Sequence, residues 1–131
     1  MAARARICLI DDDGFVRDAL ALGLTDAGYE VVTAPGAAAG FDVATREYIH
    51  AIVTDMNMPG TSGAQLISEA RTRWPDMPIV AISGAVQIDG RAIDDVAREL
   101  GADAAMTKPF RARELAAVLD KLLADGGAPP A

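Results

Sequence analysis

Acidic side chains cluster where the first apolar run of this 131-residue chain ends. Asp11, Asp12 and Asp13 directly follow the apolar residues 7–10, and Asp55 follows a second apolar run. Adjacent carboxylates repel one another unless a cation neutralises them, and hard oxygen ligands of this kind suit Mg²⁺. Asp13 stands just before a predicted helix, where an Asp usually caps the first turn. Asp11 and Asp12 are therefore the candidate metal ligands.

A hydroxyl and an ammonium group follow two further apolar runs. Ser83 comes after residues 78–82, and Lys108 comes after residues 104–107. Taken singly, each residue has an ordinary interpretation, Ser83 as a turn serine, Lys108 as a solvated loop lysine and Asp55 as the start of a loop. Taken together, they fit phosphoryl transfer to a carboxylate, in which an Asp nucleophile forms an aspartyl phosphate. A metal ion, a lysine and a hydroxyl then neutralise or bind the phosphoryl oxygens.

The elements that must position these residues alternate between strands and helices. Strands are predicted at residues 6–10, 30–34, 50–54, 78–82 and 104–107. Helices are predicted at residues 14–27, 36–46, 62–74, 91–100 and 112–124. Three of the strands are near-continuous apolar runs, which is typical of strands covered on both faces. The alternation predicts an α/β fold, (βα)₅, with a doubly wound five-stranded parallel sheet whose carboxyl ends gather the candidate residues.

Composition excludes several classes of protein. The chain is long enough for one domain, expected at residues 1–124, followed by a flexible tail at residues 125–131. The net charge of −7 argues against a nucleic-acid partner, which requires a basic surface. No apolar run approaches the ~20 residues that span a bilayer, and Asp11 interrupts the short apolar part of the N-terminus, so we expect a cytoplasmic protein. The single Cys8 excludes an internal disulfide and is expected in the core.

Four motifs resemble the receiver domain of two-component response regulators. In chain order they are LIDDD, VTDMNMPGTSG, AISG and MTKPF. The resemblance extends over about residues 5–124. It implies the flavodoxin-like receiver topology, with sheet order 2-1-3-4-5, and Mg²⁺ as the cofactor. Asp12 is then the direct acidic ligand, and Asp11 supports the metal, often through water. Asp55 and the backbone carbonyl of Asn57 complete the implied metal site.

The resemblance also implies the parts that handle the phosphoryl group. Asp55 is the implied phospho-acceptor, the Ser83 hydroxyl binds a phosphoryl oxygen, and Lys108 is the family's lysine. The bond that follows this lysine, to Pro109, is typically cis in the family. Three residues before the lysine, many receivers place a Tyr or Phe whose rotation couples phosphorylation to the output face. Here that position is Ala105, so this coupling lacks its ring.

The implied function is that of a stand-alone response regulator, a signalling domain that assists its own Mg²⁺-dependent phosphorylation and autodephosphorylation. His50, the only histidine, stands at the start of a predicted strand and is expected to be structural. The phosphoryl group is therefore expected to come from a phosphohistidine of a histidine kinase or histidine phosphotransfer protein. Phosphorylation then alters binding to a downstream protein partner. We hypothesise that the long segment 84–90 carries the signal when phosphorylated Asp55 draws in Ser83.

Three alternatives stay open. Ala105 favours a phosphorylation-independent protein-binding module with a receiver fold. A receiver fragment of a larger regulator or hybrid kinase is the second alternative, although Met1 and the short Pro-containing tail favour the stand-alone form. A dehalogenase-like phosphatase is the third, but such enzymes place their Asp nucleophile after the first strand, and Asp55 follows the third.

Overall fold

The computed structural model describes residues 5–56, 63–84, 87–88 and 90–125. The strands are β1 (Arg6–Ile10), β2 (Glu30–Ala34), β3 (Ala51–Asp55), β4 (Ile79–Ser83), β5 (Gln87–Ile88), β6 (Arg91–Ala92) and β7 (Ala104–Thr107). The helices are α1 (Gly14–Asp26), α2 (Ala37–Arg46), α3 (Gly63–Arg73), α4 (Ile93–Leu100) and α5 (Ala112–Asp125). Among the described segments, no helix combines the length and the hydrophobicity needed to cross a membrane. The tail predicted at the C-terminus falls outside the described residues from position 126 onward.

Five strands form one parallel sheet in the order β2-β1-β3-β4-β7. Because β5 and β6 pair only with each other, this order is 2-1-3-4-5 when the sheet strands alone are counted, which confirms the predicted topology. Successive side chains of a strand point to opposite faces. On one face, Ile7 and Leu9 pack with α1 and α5, and on the other face Cys8 and Ile10 pack with α2, α3 and α4. The sheet is therefore covered on both faces, as the apolar runs predict.

Cys8 has the structural role expected from its sequence position. The thiol is fully buried, and its Sγ lies 3.7 Å from the carbonyl oxygen of Gly40. Burial, with a smaller contribution from the charge of Glu47, raises the pKa of Cys8 to about 12. A thiol that stays protonated at neutral pH is a poor nucleophile.

Strands β3 and β4 each begin and end one residue later than predicted. Pro78 has no N–H to donate to a ladder, and it contributes only its carbonyl, which accepts a hydrogen bond from Ile52 N–H at 2.9 Å. At the other end, Asp55 pairs with Ile82, and Met56 N–H donates to the Ile82 carbonyl at 2.8 Å. The sheet therefore includes Asp55 as the last residue of its strand.

The prediction that the fourth helix begins at residue 91 is wrong. Arg91–Ala92 pair antiparallel with Gln87–Ile88, so α4 begins only at Ile93. Gly90 has φ +78°, a left-handed conformation that suits a tight hairpin turn. The other helix ends agree with the predictions within one residue where they fall on described positions, which is the usual uncertainty of helix termini.

Candidate functional site

Asp13 caps α1, as its sequence position predicts. Its Oδ1 accepts hydrogen bonds from the backbone N–H groups of Phe15 at 3.0 Å and Val16 at 3.3 Å. These are N–H groups that the first turn of a helix leaves without an intrahelical partner. Asp13 is thereby engaged in holding the start of the helix.

Asp11 and Asp12 differ in burial although they are neighbours. The Asp11 side chain is fully buried, whereas Asp12 is exposed. Asp11 N–H donates to the Ala34 carbonyl at 3.2 Å, which extends the pairing of β1 with β2 by one residue. Its Oδ1 accepts a hydrogen bond from Asp13 N–H at 2.9 Å. The turn therefore orients one carboxylate into the protein and leaves the next at the surface.

Asp55 and Ser83 end two adjacent strands. Asp55 is 4% exposed, and Ser83 is fully buried. Ser83 follows Ile82, the register partner of Asp55, and its carbonyl accepts a hydrogen bond from Lys108 N–H at 2.8 Å. The backbone thus brings the candidate acid, hydroxyl and lysine to the same edge of the sheet.

The Lys108 ammonium joins the two buried acids. Its Nζ lies 2.8 Å from Asp55 Oδ2 and 3.2 Å from Asp11 Oδ2. Burial by itself lowers the pKa of Lys108, but the hydrogen bonds and charges of Asp55 and Asp11 outweigh burial and leave this pKa raised. The Lys108–Pro109 peptide bond is cis, as the family resemblance implies. Four of the predicted site residues, on four different strand ends, therefore do converge.

The carboxylates at this edge fit a divalent cation. One oxygen each of Asp11, Asp12 and Asp55 lies within 4.8 Å of the other two. Asp11 Oδ2 is buried and lies 3.2 Å from the Lys108 ammonium. Burial is the main cause that raises the pKa of Asp11, against the lowering effect of Asp13 N–H and Lys108. A hard cation would stabilise this charged carboxylate. The predicted ligand Asn57 lies outside the described residues.

His50 lies away from this edge, at the opposite end of the sheet. Arg6 N–H donates to His50 Nδ1 at 2.8 Å, and His50 N–H donates to the Arg6 carbonyl at 2.8 Å. An acceptor nitrogen requires the neutral ring. Burial first, and then the charge of Arg6, lower the pKa of His50. These contacts agree with the structural role predicted for this residue.

Two residues at the site have no role in the sequence analysis. Arg17 Nη1 donates a hydrogen bond to the Asp11 carbonyl oxygen at 3.0 Å. Gly63, the first residue of α3, approaches Asp55 so closely that a Cβ would lie 1.9 Å from the Asp55 carbonyl oxygen. The position of Arg17 one turn after Asp13 is the one sequence signal that points to it. Gly63 ends the motif VTDMNMPGTSG, but nothing in that motif indicates its contact with Asp55.

Comparison with known proteins identifies the family. The sequence model of the response regulator receiver domain matches residues 7–120. The chain belongs to this family. Receiver domains are signalling domains rather than classical enzymes, and they bind Mg²⁺ at an acidic pocket of the kind described above.

Relatives of this receiver domain include longer regulators. It is 37% identical over 111 residues to the response regulator protein FleR of Pseudomonas aeruginosa, and the aligned region covers 85% of this chain and 23% of FleR. It is 36% identical over 118 residues to the transcriptional regulatory protein PrrA of Mycobacterium tuberculosis, and here the aligned region covers 90% of this chain and 49% of PrrA. The chain therefore spans about a quarter to a half of these curated relatives.

Solved structures similar to this receiver domain include smaller proteins. The chemotaxis protein CheY4 of Vibrio cholerae has a TM-score of 0.84 and 26% identity, covering 92% of this chain and 100% of that one. The response regulator TrrA of Thermotoga maritima, solved in complex with Mg²⁺-BeF, has a TM-score of 0.80 and 27% identity, covering 91% of this chain and 99% of that one. Both support the receiver fold independently of the curated relatives.

Proposed function

We propose that this receiver domain accepts a phosphoryl group on Asp55 from a phosphohistidine of a sensor kinase or histidine phosphotransfer protein. The observation that carries the proposal is the Lys108 ammonium 2.8 Å from Asp55 Oδ2, beside the buried carboxylate of Asp11. A carboxylate oxygen of Asp55 attacks the phosphorus, and the bond from phosphorus to the donor nitrogen breaks. An acyl phosphate forms, and the electron pair of the broken bond leaves with the donor imidazole.

The neighbouring side chains are suited to a developing phosphoryl charge. Lys108 is held by two carboxylates and can transfer one of these contacts to a phosphoryl oxygen, where an ammonium stabilises negative charge. We assign the Ser83 hydroxyl to a second phosphoryl oxygen, because Ser83 lies on the adjacent strand end. Electrostatic stabilisation is stronger in a buried site than in water.

We assign Mg²⁺ to Asp11, Asp12 and Asp55, with the backbone carbonyl of Asn57 as a further ligand implied by the family. The clustering of three carboxylates and the buried Asp11 oxygen support this assignment. Bound Mg²⁺ supplies positive charge that stabilises the phosphoryl oxygens. Asp11 contributes a preorganised carboxylate, because its other oxygen is held by Asp13 N–H.

An exposed apolar surface on α1 is our candidate docking surface for the donor protein. Phe15 is 92% exposed and Leu22 is 66% exposed, and their spacing of seven residues puts them on one face of the helix. Contiguous exposed apolar patches mark interaction sites, and we propose that these two side chains belong to one. Phe15 follows Asp13 by two residues, so a protein bound there would also reach the phospho-acceptor edge.

The output is proposed to be altered binding to a downstream protein, whose identity is open. A phosphorylation-independent binding module is the second candidate, favoured by Ala105, which lies half-buried against the α2, α3 and α4 side of the core and has no ring to rotate. The expected cytoplasmic location stays a prediction.

The test is incubation with acetyl phosphate and Mg²⁺, followed by intact mass. We expect one phosphoryl adduct on the wild-type protein and none on Asp55→Asn. Asp42→Asn is the matched control, because Asp42 is an exposed acid on α2. The absence of both the wild-type adduct and Mg²⁺ binding would instead favour the phosphorylation-independent module.

A further inference from the structure

Arg17 lies one turn into α1, and its side chain folds back toward the end of β1. Its Nη1 donates a hydrogen bond to the Asp11 carbonyl oxygen at 3.0 Å. Its Nη2 lies 3.6 Å from the position that a Cβ on Gly14 would occupy, so the guanidinium lies across the start of the helix. The side chain is only 22% exposed. Arg17 is thus ordered along the turn that carries the acids.

The Asp11 carbonyl lies just beyond the last residue of β1, where pairing with β2 ends. The N–H of Asp11 still bonds to Ala34, but β2 ends at Ala34. The Arg17 guanidinium supplies the hydrogen bond that a longer strand would otherwise give. A backbone carbonyl of this kind requires a partner when it is partly buried.

The same hydrogen bond limits the freedom of Asp12. On one side of Asp12, the Asp11 backbone is held by Ala34 and Arg17. On the other side, Asp13 is held by its N–H bond to Asp11 Oδ1 and by its own capping bonds. Asp12 itself is exposed, and the backbone held at its two neighbours fixes the direction in which its side chain leaves the turn.

We infer that Arg17 is a positioning residue for Mg²⁺, which holds the Asp11–Asp13 turn in the conformation that presents Asp12 to the metal. The inference rests on the proposed function, because it concerns the metal assigned there. Groups that orient metal ligands without touching the metal typically change metal affinity about 10–100-fold when removed.

The charge of Arg17 and its hydrogen bond act on metal affinity in opposite directions. A guanidinium near an acidic cluster repels a cation, so Coulomb's law alone predicts tighter Mg²⁺ binding when the charge is removed. Loss of the hydrogen bond frees the turn and predicts weaker binding. Salt screens partly exposed charges, so we expect the loss of positioning to dominate. The sign of the change therefore separates the two effects.

The experiment is a Mg²⁺ titration of the wild-type protein, Arg17→Met and Arg17→Lys, followed by the backbone amide shifts of Asp12 and Asp13. Methionine removes the charge and the donors, whereas lysine keeps a charge and a donor. Arg46→Met is the matched control, because it removes one positive charge from an exposed pair on α2. Urea unfolding without Mg²⁺ verifies that each variant is folded.

We expect Arg17→Met to raise the Kd for Mg²⁺ at least about tenfold, Arg17→Lys to raise it less, and Arg46→Met to leave it unchanged. A Kd for Arg17→Met equal to or below the wild-type value overturns the inference alone. If Arg17→Met does not fold, the Kd of Arg17→Lys is used instead, and a value equal to or below that of the wild type overturns the inference. A wild-type protein that shows no response to Mg²⁺ overturns both the inference and the proposed metal site.

Discussion

Gly63 gives a prediction that connects packing to the reactivity of Asp55. A Cβ built on Gly63 would lie 1.9 Å from the Asp55 carbonyl oxygen and 2.8 Å from its carbonyl carbon. Because real Cβ contacts are essentially never below 3.0 Å, an alanine must move the start of α3 and the end of β3 apart by about 1.1 Å. The opposing atoms belong to the backbone, so no side-chain rotation relieves the overlap.

The expected cost of Gly63→Ala follows from two opposing effects. Overpacking of a well-packed region costs about 1–3 kcal/mol. Alanine recovers at most about 0.5–1 kcal/mol of helix preference relative to glycine. The two ranges together leave a fall in the free energy of unfolding of about 0–2.5 kcal/mol, and we expect about 1–2 kcal/mol because the overlapping atoms are backbone atoms that cannot rotate away. Because a displacement of about 1 Å at a reacting group can slow a reaction about 100-fold, phosphorylation of Asp55 should slow by a similar factor.

The assay combines urea unfolding with the time course of acetyl phosphate labelling measured by intact mass. Gly14→Ala is the control for stability, because Gly14 is also the first residue of a helix but its Cβ would meet only Arg17 Nη2 at an ordinary 3.6 Å. We expect this control to gain at most the same helix preference, about 0.5–1 kcal/mol, without an overpacking cost. Equal stabilities of the two variants, or an unchanged labelling rate for Gly63→Ala, would refute the reasoning.

Three further predictions concern the acidic turn, the histidine and the hairpin. Asp13→Ala should cost about 1 kcal/mol of stability in urea unfolding. It should weaken Mg²⁺ binding only slightly, because the backbone N–H of residue 13 still bonds to Asp11 Oδ1. Asp12→Ala should abolish Mg²⁺ binding, and equal Mg²⁺ affinities of the two variants would contradict this. Because the folded state lowers the pKa of His50, the unfolded chain binds the proton more readily. The contribution of His50 to stability should therefore be complete above about pH 6.5 and fall below it, by at most about 1.4 kcal/mol per pH unit. Urea unfolding of His50→Gln as a function of pH should lack this contribution. Adding beryllofluoride and Mg²⁺ should shift the backbone amides of residues 84–92, and constant shifts would contradict their role in signalling.

The sheet could be predicted because its information is local. Near-continuous apolar runs separated by helical patterns indicate strands that are covered on both faces, and the three central strands of the sheet, β1, β3 and β4, are almost entirely buried. The strand ends are predicted less accurately, because the pairing with neighbouring strands decides which residue is the last of a strand. Asp55 belongs to β3 because Ile82 on the adjacent strand pairs with it, and no property of Asp55 itself indicates this.

The candidate site could be predicted only in part, as far as its residues directly follow the predicted strands. Asp55, Ser83 and Lys108 are brought together because parallel strands end at one edge of the sheet. Arg17 and Gly63 were missed because their contacts are with backbone atoms of other segments. Residue type reveals chemistry that a side chain can perform, but it does not reveal which carbonyl lies within reach.

The hairpin formed by β5 and β6 bears on how this receiver domain transmits a signal without a ring at residue 105. Ser83 ends β4, and β6 leads directly into α4, so a shift of Ser83 acts on the segment 84–90 that connects them. Arg91 donates from Nη1 and Nη2 to the two carboxylate oxygens of Glu99 at 2.8 and 2.6 Å, which attaches the hairpin to α4. A bidentate pair fixes direction even where exposure makes its energy small. We therefore expect the hairpin and α4 to move together, whereas Ala105 can contribute only a methyl group.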